Sequence, residues 1–276
     1  MSVMSYEFMQ VALVAAVVTG VSASAIGTFI VQRRLALLGD GLGHVALTGV
    51  ALGLLTGIAP MTTAIVVAIL GALLIEVMRS YARTGGDLAL AMLFYGGIAG
   101  GVLLINLAGQ NAATLNAYLF GSITTLQPSD LVVVVTLGVV VVAVSIGLRP
   151  QFFAVCADET QARVNGIPVR VYGALIAVLA AVTITVAMRT VGLLLVSALM
   201  VVPVAAAQQL THSFRSTHLL AMALGLVAAV SGLLASYQID TQPGPTIVMI
   251  ALAVFATFAV VRGLLQWRRP REASHG

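Results

Sequence analysis

The chain has 276 residues, of which 60% are hydrophobic and only 8% charged, with a formal net charge of +4. A soluble domain carries roughly 25% charged residues, so this composition excludes a water-soluble globular protein and marks a polytopic membrane protein. All thirteen basic residues are arginine, gathered at the ends of apolar runs. That placement reads as membrane anchoring rather than a nucleic-acid surface.

In lipid, every backbone polar group must be satisfied internally, which leaves helices or closed barrels. Long unbroken apolar runs select helices, each needing about 20 residues to span. In chain order the runs are about Gln10–Val31, Leu42–Ile58, Met61–Met78, Leu88–Ala108, Leu131–Leu148, Val169–Met188, Val191–Gln208, Leu219–Tyr237 and Pro245–Arg262. These predict an all-α chain with about nine spans. Asn111–Leu126 is too polar and too short to span; it reads either as a short re-entrant helix or as an interfacial loop helix. No basic stretch precedes the first run, so a cleaved leader is not expected.

Arg33, Arg34, Arg79, Arg83, Arg149, Arg163, Arg170, Arg215 and the tail arginines fall on alternate loops, and only Arg189 falls on the other side. The positive-inside bias then places the N-terminus outside and the C-terminus in the cytoplasm. Small residues four apart predict close helix contacts: Gly49, Gly53 and Gly57, then Gly96 with Gly100 and Gly97 with Gly101.

Two stretches on the predicted cytoplasmic side stand out. Ala157–Pro168 reads as a short amphipathic helix, with Asp158 and Glu159 at its start and Gly166 as its cap. In the second, Pro203 is expected to break or kink the seventh span, after which a small-residue helix projects at the surface. Either stretch is a plain interfacial turn or a docking element for a soluble partner.

An ionisable group inside a membrane is costly and is a functional candidate by default. Asp40 and His44 qualify if the second span begins just after Leu38. Positions i and i+4 share a helix face, and Thr48 continues it one turn deeper. A carboxylate and an imidazole suit a borderline divalent ion, although two ligands do not complete a site. The alternatives are an N-capping role for Asp40 and an interhelical hydrogen bond for His44. Glu76, three residues before Arg79, reads as half of a surface ion pair. Hydrolytic signatures such as HExxH and GxSxG are missing. The chain has no lysine, so it cannot form a Walker-A site.

Residues Arg33–Gly49 (RRLALLGDGLGHVALTG) resemble the signature of the ABC-3 family, the membrane permeases of bacterial zinc, manganese and iron ABC importers. The resemblance continues in Tyr118–Ser122, in Asp158–Val169 and in Thr190–Pro203, in order along nearly the whole chain. It implies a single transmembrane permease domain over 1–276 with the type II ABC importer fold, in a bacterial plasma membrane. It implies a partner ATP-binding cassette ATPase, an extracytoplasmic metal-binding protein and a second permease subunit, most simply a homodimer. ATP would be hydrolysed on the partner, with no cofactor held permanently by this chain. The cargo would be a divalent metal ion, zinc first, with manganese or iron as alternatives. Asp40 and His44 would be its intramembrane ligands, with Thr48 on the pathway. The stretch at about 203–216 would couple to the ATPase through Pro203, Val204, Ala205, Ala206, Ala207 and Gln208, assisted by Asp158 and Glu159. Gly43 stands where the family usually has serine, and Thr48 where it has proline. An ion-gradient-driven metal transporter is the alternative, and a membrane-embedded enzyme fits least.

Overall fold

The computed structural model describes residues 7–81, 86–110, 112–121 and 128–267. These form α1 (Glu7–Gln32), α2 (Leu38–Thr56), α3 (Pro60–Tyr81), α4 (Gly86–Leu107), α5 (Ala112–Phe120) and α6 (Pro128–Gly147). They continue with α7 (Arg149–Ala157), α8 (Glu159–Val164), α9 (Val169–Met188), α10 (Leu193–Leu210), α11 (Phe214–Gln238) and α12 (Pro243–Trp267). Among the described residues, nine helices are long and apolar enough to cross a membrane, and no strand occurs.

The helix starts differ from expectation where local chemistry overrides hydropathy. α2 begins at Leu38 rather than Leu42, because α1 ends in a tight turn that returns the chain at once. Arg34 has φ +59°. Its N–H donates to the Val31 carbonyl, and the Leu35 N–H reaches back to the Ile30 carbonyl, both at 3.0 Å. This is a Schellman closure with arginine at the position glycine favours, at a cost of about 1–2 kcal/mol. α11 begins at Phe214 rather than Leu219, because the Ser213 side chain caps it by accepting from the Ser216 N–H. Gly192, with φ +87°, ends the turn between α9 and α10.

Burial sorts the spans into centre and periphery. In α1, α2 and α9, 72% of the spanning window is buried within the chain, against 22% in α4 and α6 and 17% in α12. Glycines set the closest approaches. Gly49 and Gly53 lie against Pro60, Thr63 and Ala64 of α3, while Gly97 and Gly101 lie against α2 between His44 and Thr48. Gly57 is not part of that ladder. It caps α2 in the left-handed conformation, and both it and Gly96 have open space where a Cβ would stand.

The turn between α9 and α10 lies inside the bundle, with Thr190 and Val191 buried. The end of α5 covers it: Gly121 packs against the backbone of Thr190–Gly192, and Gly244 at the start of α12 closes the other side. Arg189 stacks over Tyr118 at 5.7 Å and pairs with Asp130 at 3.3 Å, which ties α5, α6 and α9 together. The remainder of the predicted re-entrant stretch, Asn111 and residues 122–126, lies outside the described residues.

At the opposite end of the bundle, α7 and α8 run along the surface. Pro150 starts α7. Asp158 caps α8, its carboxylate accepting from the Thr160 and Gln161 N–H groups at 2.8 and 3.0 Å. Gly166, at φ +78°, ends that segment as expected. Pro203 does not break its helix: α10 runs unbroken through it to Leu210. No separate small-residue helix projects there.

Candidate translocation site

Asp40 lies in the first turn of α2, where the helix dipole favours a negative charge. It does not act as an N-cap: the cap position is Leu37, and no side chain caps this helix end. The Asp40 carboxylate instead accepts a hydrogen bond from Ser197 Oγ on α10. Gly39 makes that contact possible, since a Cβ there would collide with Ser197. Asp40 is half-buried and lines a cavity of about 290 Å³ with Leu37, Leu90, Ala91, Phe94 and Tyr95. Leu37 and Tyr95 are exposed, so the cavity opens at the flank of the bundle beside α2 and α4.

His44 sits one turn deeper on the same face and is buried. Its ring meets Phe94 edge to face at 4.8 Å, and its Nδ1 has no hydrogen-bond partner. The sequence alternative, an interhelical hydrogen bond, is therefore not what occupies Nδ1. Gly97 brings α4 against the His44 backbone at this level. Thr48 Oγ1 donates to the Gly97 carbonyl at 2.9 Å, so its proton is used in joining α2 to α4. Gly43 lies beside Leu193 with little room for a Cβ.

Among the described residues no three His, Cys, Asp or Glu side chains converge on one point. The pair on α2 offers carboxylate oxygen and imidazole nitrogen, with the Ser197 hydroxyl holding the carboxylate from outside and no thiolate nearby. Such a hard-to-borderline donor set suits a divalent ion that keeps some water or shares ligands with another chain. Ser197 was not singled out in the sequence. Its one signal is a lone hydroxyl in the apolar run Leu193–Val202, where serine commonly joins helices.

The residues assigned to coupling divide. Pro203, Val204, Ala206 and Ala207 are buried, Ala205 is half-buried, and Gln208 is exposed. Val204 and Ala207 pack with Ala221 of α11 and Val31 of α1, so they hold the bundle together. Asp158 is spent capping α8. Glu159 turns inward, and Glu76 is not half of a surface pair. Its side chain is 9% exposed and meets Arg79 at 3.1 Å and Arg33 at 3.5 Å, and both arginines also reach Glu159. Beside this cluster lies a cavity of about 560 Å³ lined by Arg33, Arg34, Arg79, Cys156, Glu159 and Gln208, among others. Burial pushes the Cys156 thiol up to about 12, against the opposing pull of Arg33.

The chain is 33% identical over 250 residues to the manganese import system permease protein ScaB of Streptococcus parasanguinis, covering 91% of this chain and 89% of that protein. It is 31% identical over 273 residues to the manganese transport system membrane protein MntC of Halalkalibacterium halodurans, covering 97% and 94%. Its fold matches a chain of the PsaBC complex from Streptococcus pneumoniae bound to a Fab, with TM-score 0.86, 29% identity and coverage of 96% and 97%. Residues 5–262 match the model of the ABC 3 transport family, and this chain is a membrane permease belonging to that family.

Proposed function

We propose that this chain is the membrane-spanning subunit of an ATP-driven importer of divalent transition-metal ions in a bacterial plasma membrane. The observation that carries the reading is the Asp40–His44 pair on α2, with the Ser197 hydroxyl from α10 on the carboxylate and a free imidazole nitrogen one turn deeper. Manganese is the favoured cargo, ahead of zinc and iron. Relatives named as manganese permeases support that order, as does a carboxylate beside an imidazole without sulfur.

ATP is hydrolysed on a separate ATPase, and an extracytoplasmic metal-binding protein delivers the ion. The ATPase meets the α8 end of the bundle, which the arginine bias assigns to the cytoplasm with the N-terminus outside. Its contact surface comprises the exposed face of α8 together with residues 208–216, not the buried Val204, Ala206 and Ala207. A second copy of the chain closes the open flank beside α2 and α4 and supplies further ligands to the pair.

The test is metal uptake by vesicles holding the chain with its ATPase and binding protein. Asp40→Asn and His44→Ala each lower uptake by more than the roughly 10–100-fold that loss of a ligand's outer partner costs, while the ATPase still co-purifies. Wild-type uptake by both variants would remove the pair from the pathway. Uptake by the chain alone, driven by an ion gradient without ATPase, would favour the secondary-transporter reading.

A further inference from the structure

Charge is scarce in this chain, with 13 basic and 9 acidic residues in 276. Four of those charged residues nevertheless meet at one point. Glu159 Oε1 accepts from Arg33 Nη2 at 2.8 Å and from Arg79 Nη2 at 2.7 Å. Behind it, Glu76 accepts from Arg79 through both carboxylate oxygens, at 3.1 and 3.3 Å, and from Arg33 at 3.5 Å. The Arg33 side chain is 3% exposed. Gly173 on α9 leaves the space this cluster fills, since a Cβ there would run into the Glu76 carboxylate. A buried charge keeps its place only while paired, because a missing partner leaves an uncompensated ion in a low dielectric. Arg33 and Glu76 are the buried members, so their placement depends on the ion pairs of this cluster.

Their positions in the chain give the cluster its consequence. Glu159 is the first residue of α8, next to the Asp158 that caps it. Ala162 packs α8 against Val155 and Val169, while its other face is exposed, with Val164 76% exposed. Arg33 directly follows α1 and opens the strained turn at Arg34, from which α2 starts and carries Asp40 within its first turn. Arg79 and Glu76 lie in the last turns of α3, the helix that packs along Gly49 and Gly53 of α2. One partly exposed carboxylate thus reaches two of the supports of the helix that bears the Asp40–His44 pair, with α4 and α10 among the others.

We propose that Glu159 is a positioning residue that converts displacement of α8 into displacement of the α1–α2 turn and of α3, and so of Asp40. The inference rests on the reading above, in which a separate ATPase presses on α8, but the linkage itself can be measured without that partner. In the purified chain, Glu159→Gln removes one of the two carboxylates that hold Arg33 and Arg79 and leaves them to Glu76 alone. Amide hydrogen exchange then speeds up not only in α8 but also at residues 33–41, where Leu35, Leu38 and Gly41 donate the turn's hydrogen bonds. Acceleration confined to α8 would overturn the proposal.

In the reconstituted complex, Glu159→Gln lowers metal taken up per ATP hydrolysed by about tenfold, within the usual range of coupling between sites. The ATPase still co-purifies, and Glu159→Asp restores part of the ratio. An unchanged ratio, or a loss explained wholly by loss of the ATPase, would also overturn it. Should the unaltered complex fail to import metal at all, the functional reading falls, and the exchange measurement still decides the linkage.

Discussion

Ser197 on α10 donates a hydrogen bond to the Asp40 carboxylate on α2, joining residues 157 positions apart. This bond restrains the orientation of the acid, which lines the cavity beside α2 and α4. A hydrogen bond to a charged group contributes about 1.5–3 kcal/mol.

Ser197→Ala removes that restraint without removing a charge. Half-maximal uptake then shifts to about tenfold higher metal concentration, as expected for loss of an outer partner of a ligand. Ser197→Thr, which keeps the hydroxyl, shifts it less. An unchanged concentration dependence in Ser197→Ala vesicles would show that the bond does not orient the acid for binding.

The neighbouring glycines of α4 make a matched pair for stability. A Cβ on Gly97 would stand 2.8 Å from the backbone of His44 and Val45, whereas Gly96 has nothing within 4 Å. Gly97→Ala forces α4 away from α2, costs about 1–3 kcal/mol by overpacking and lowers the thermal midpoint of the purified chain. Gly96→Ala is neutral or stabilising by up to about 1 kcal/mol, since alanine is the better helix former. Equal midpoints for the two variants would contradict the close approach at His44.

The Cys156 thiol, raised to about 12 by burial, stays protonated in the fold at every physiological pH. The thiolate is the reactive form, so maleimide labelling of the folded chain is slow at pH 7–9 and rises only toward pH 12. The sign for stability follows. The folded state holds the proton more tightly than the unfolded chain, whose thiol titrates near 9. This contribution is therefore complete below about pH 9 and is lost as the pH climbs to about 12. Rapid labelling at pH 7.5 in an undenatured sample would show that the thiol is not buried as described.

Much of the architecture was legible in the linear sequence because lipid imposes a local rule. A run of about 20 apolar residues must satisfy its own backbone as a helix, so the spans, including Val169–Met188 to the residue, follow from hydropathy alone. The i,i+4 geometry of one helix likewise put Asp40 and His44 on a common face. The boundaries at Leu38 and Phe214 were not legible, because they depend on a left-handed arginine and a serine cap rather than on apolarity.

The tertiary structure alone decided everything that joins distant segments. Ser197 meets Asp40 across 157 positions, and Arg33 meets Glu159 across 126. Sequence spacing reads only contacts within a helix turn or two, so Glu76 looked like half of a surface pair with Arg79, and Val204–Ala207 looked like a projecting element. Packing reversed both: close approach at Gly173 drew Glu76 into a buried cluster, and α11 and α1 enclosed Val204 and Ala207. The sequence by itself determined which runs are long and apolar enough to span and that Asp40 and His44 share one face of α2. The fold determined which hydroxyl bonds Asp40 and which carboxylate bridges Arg33 and Arg79, because those contacts exist only once helices from opposite parts of the chain are packed together.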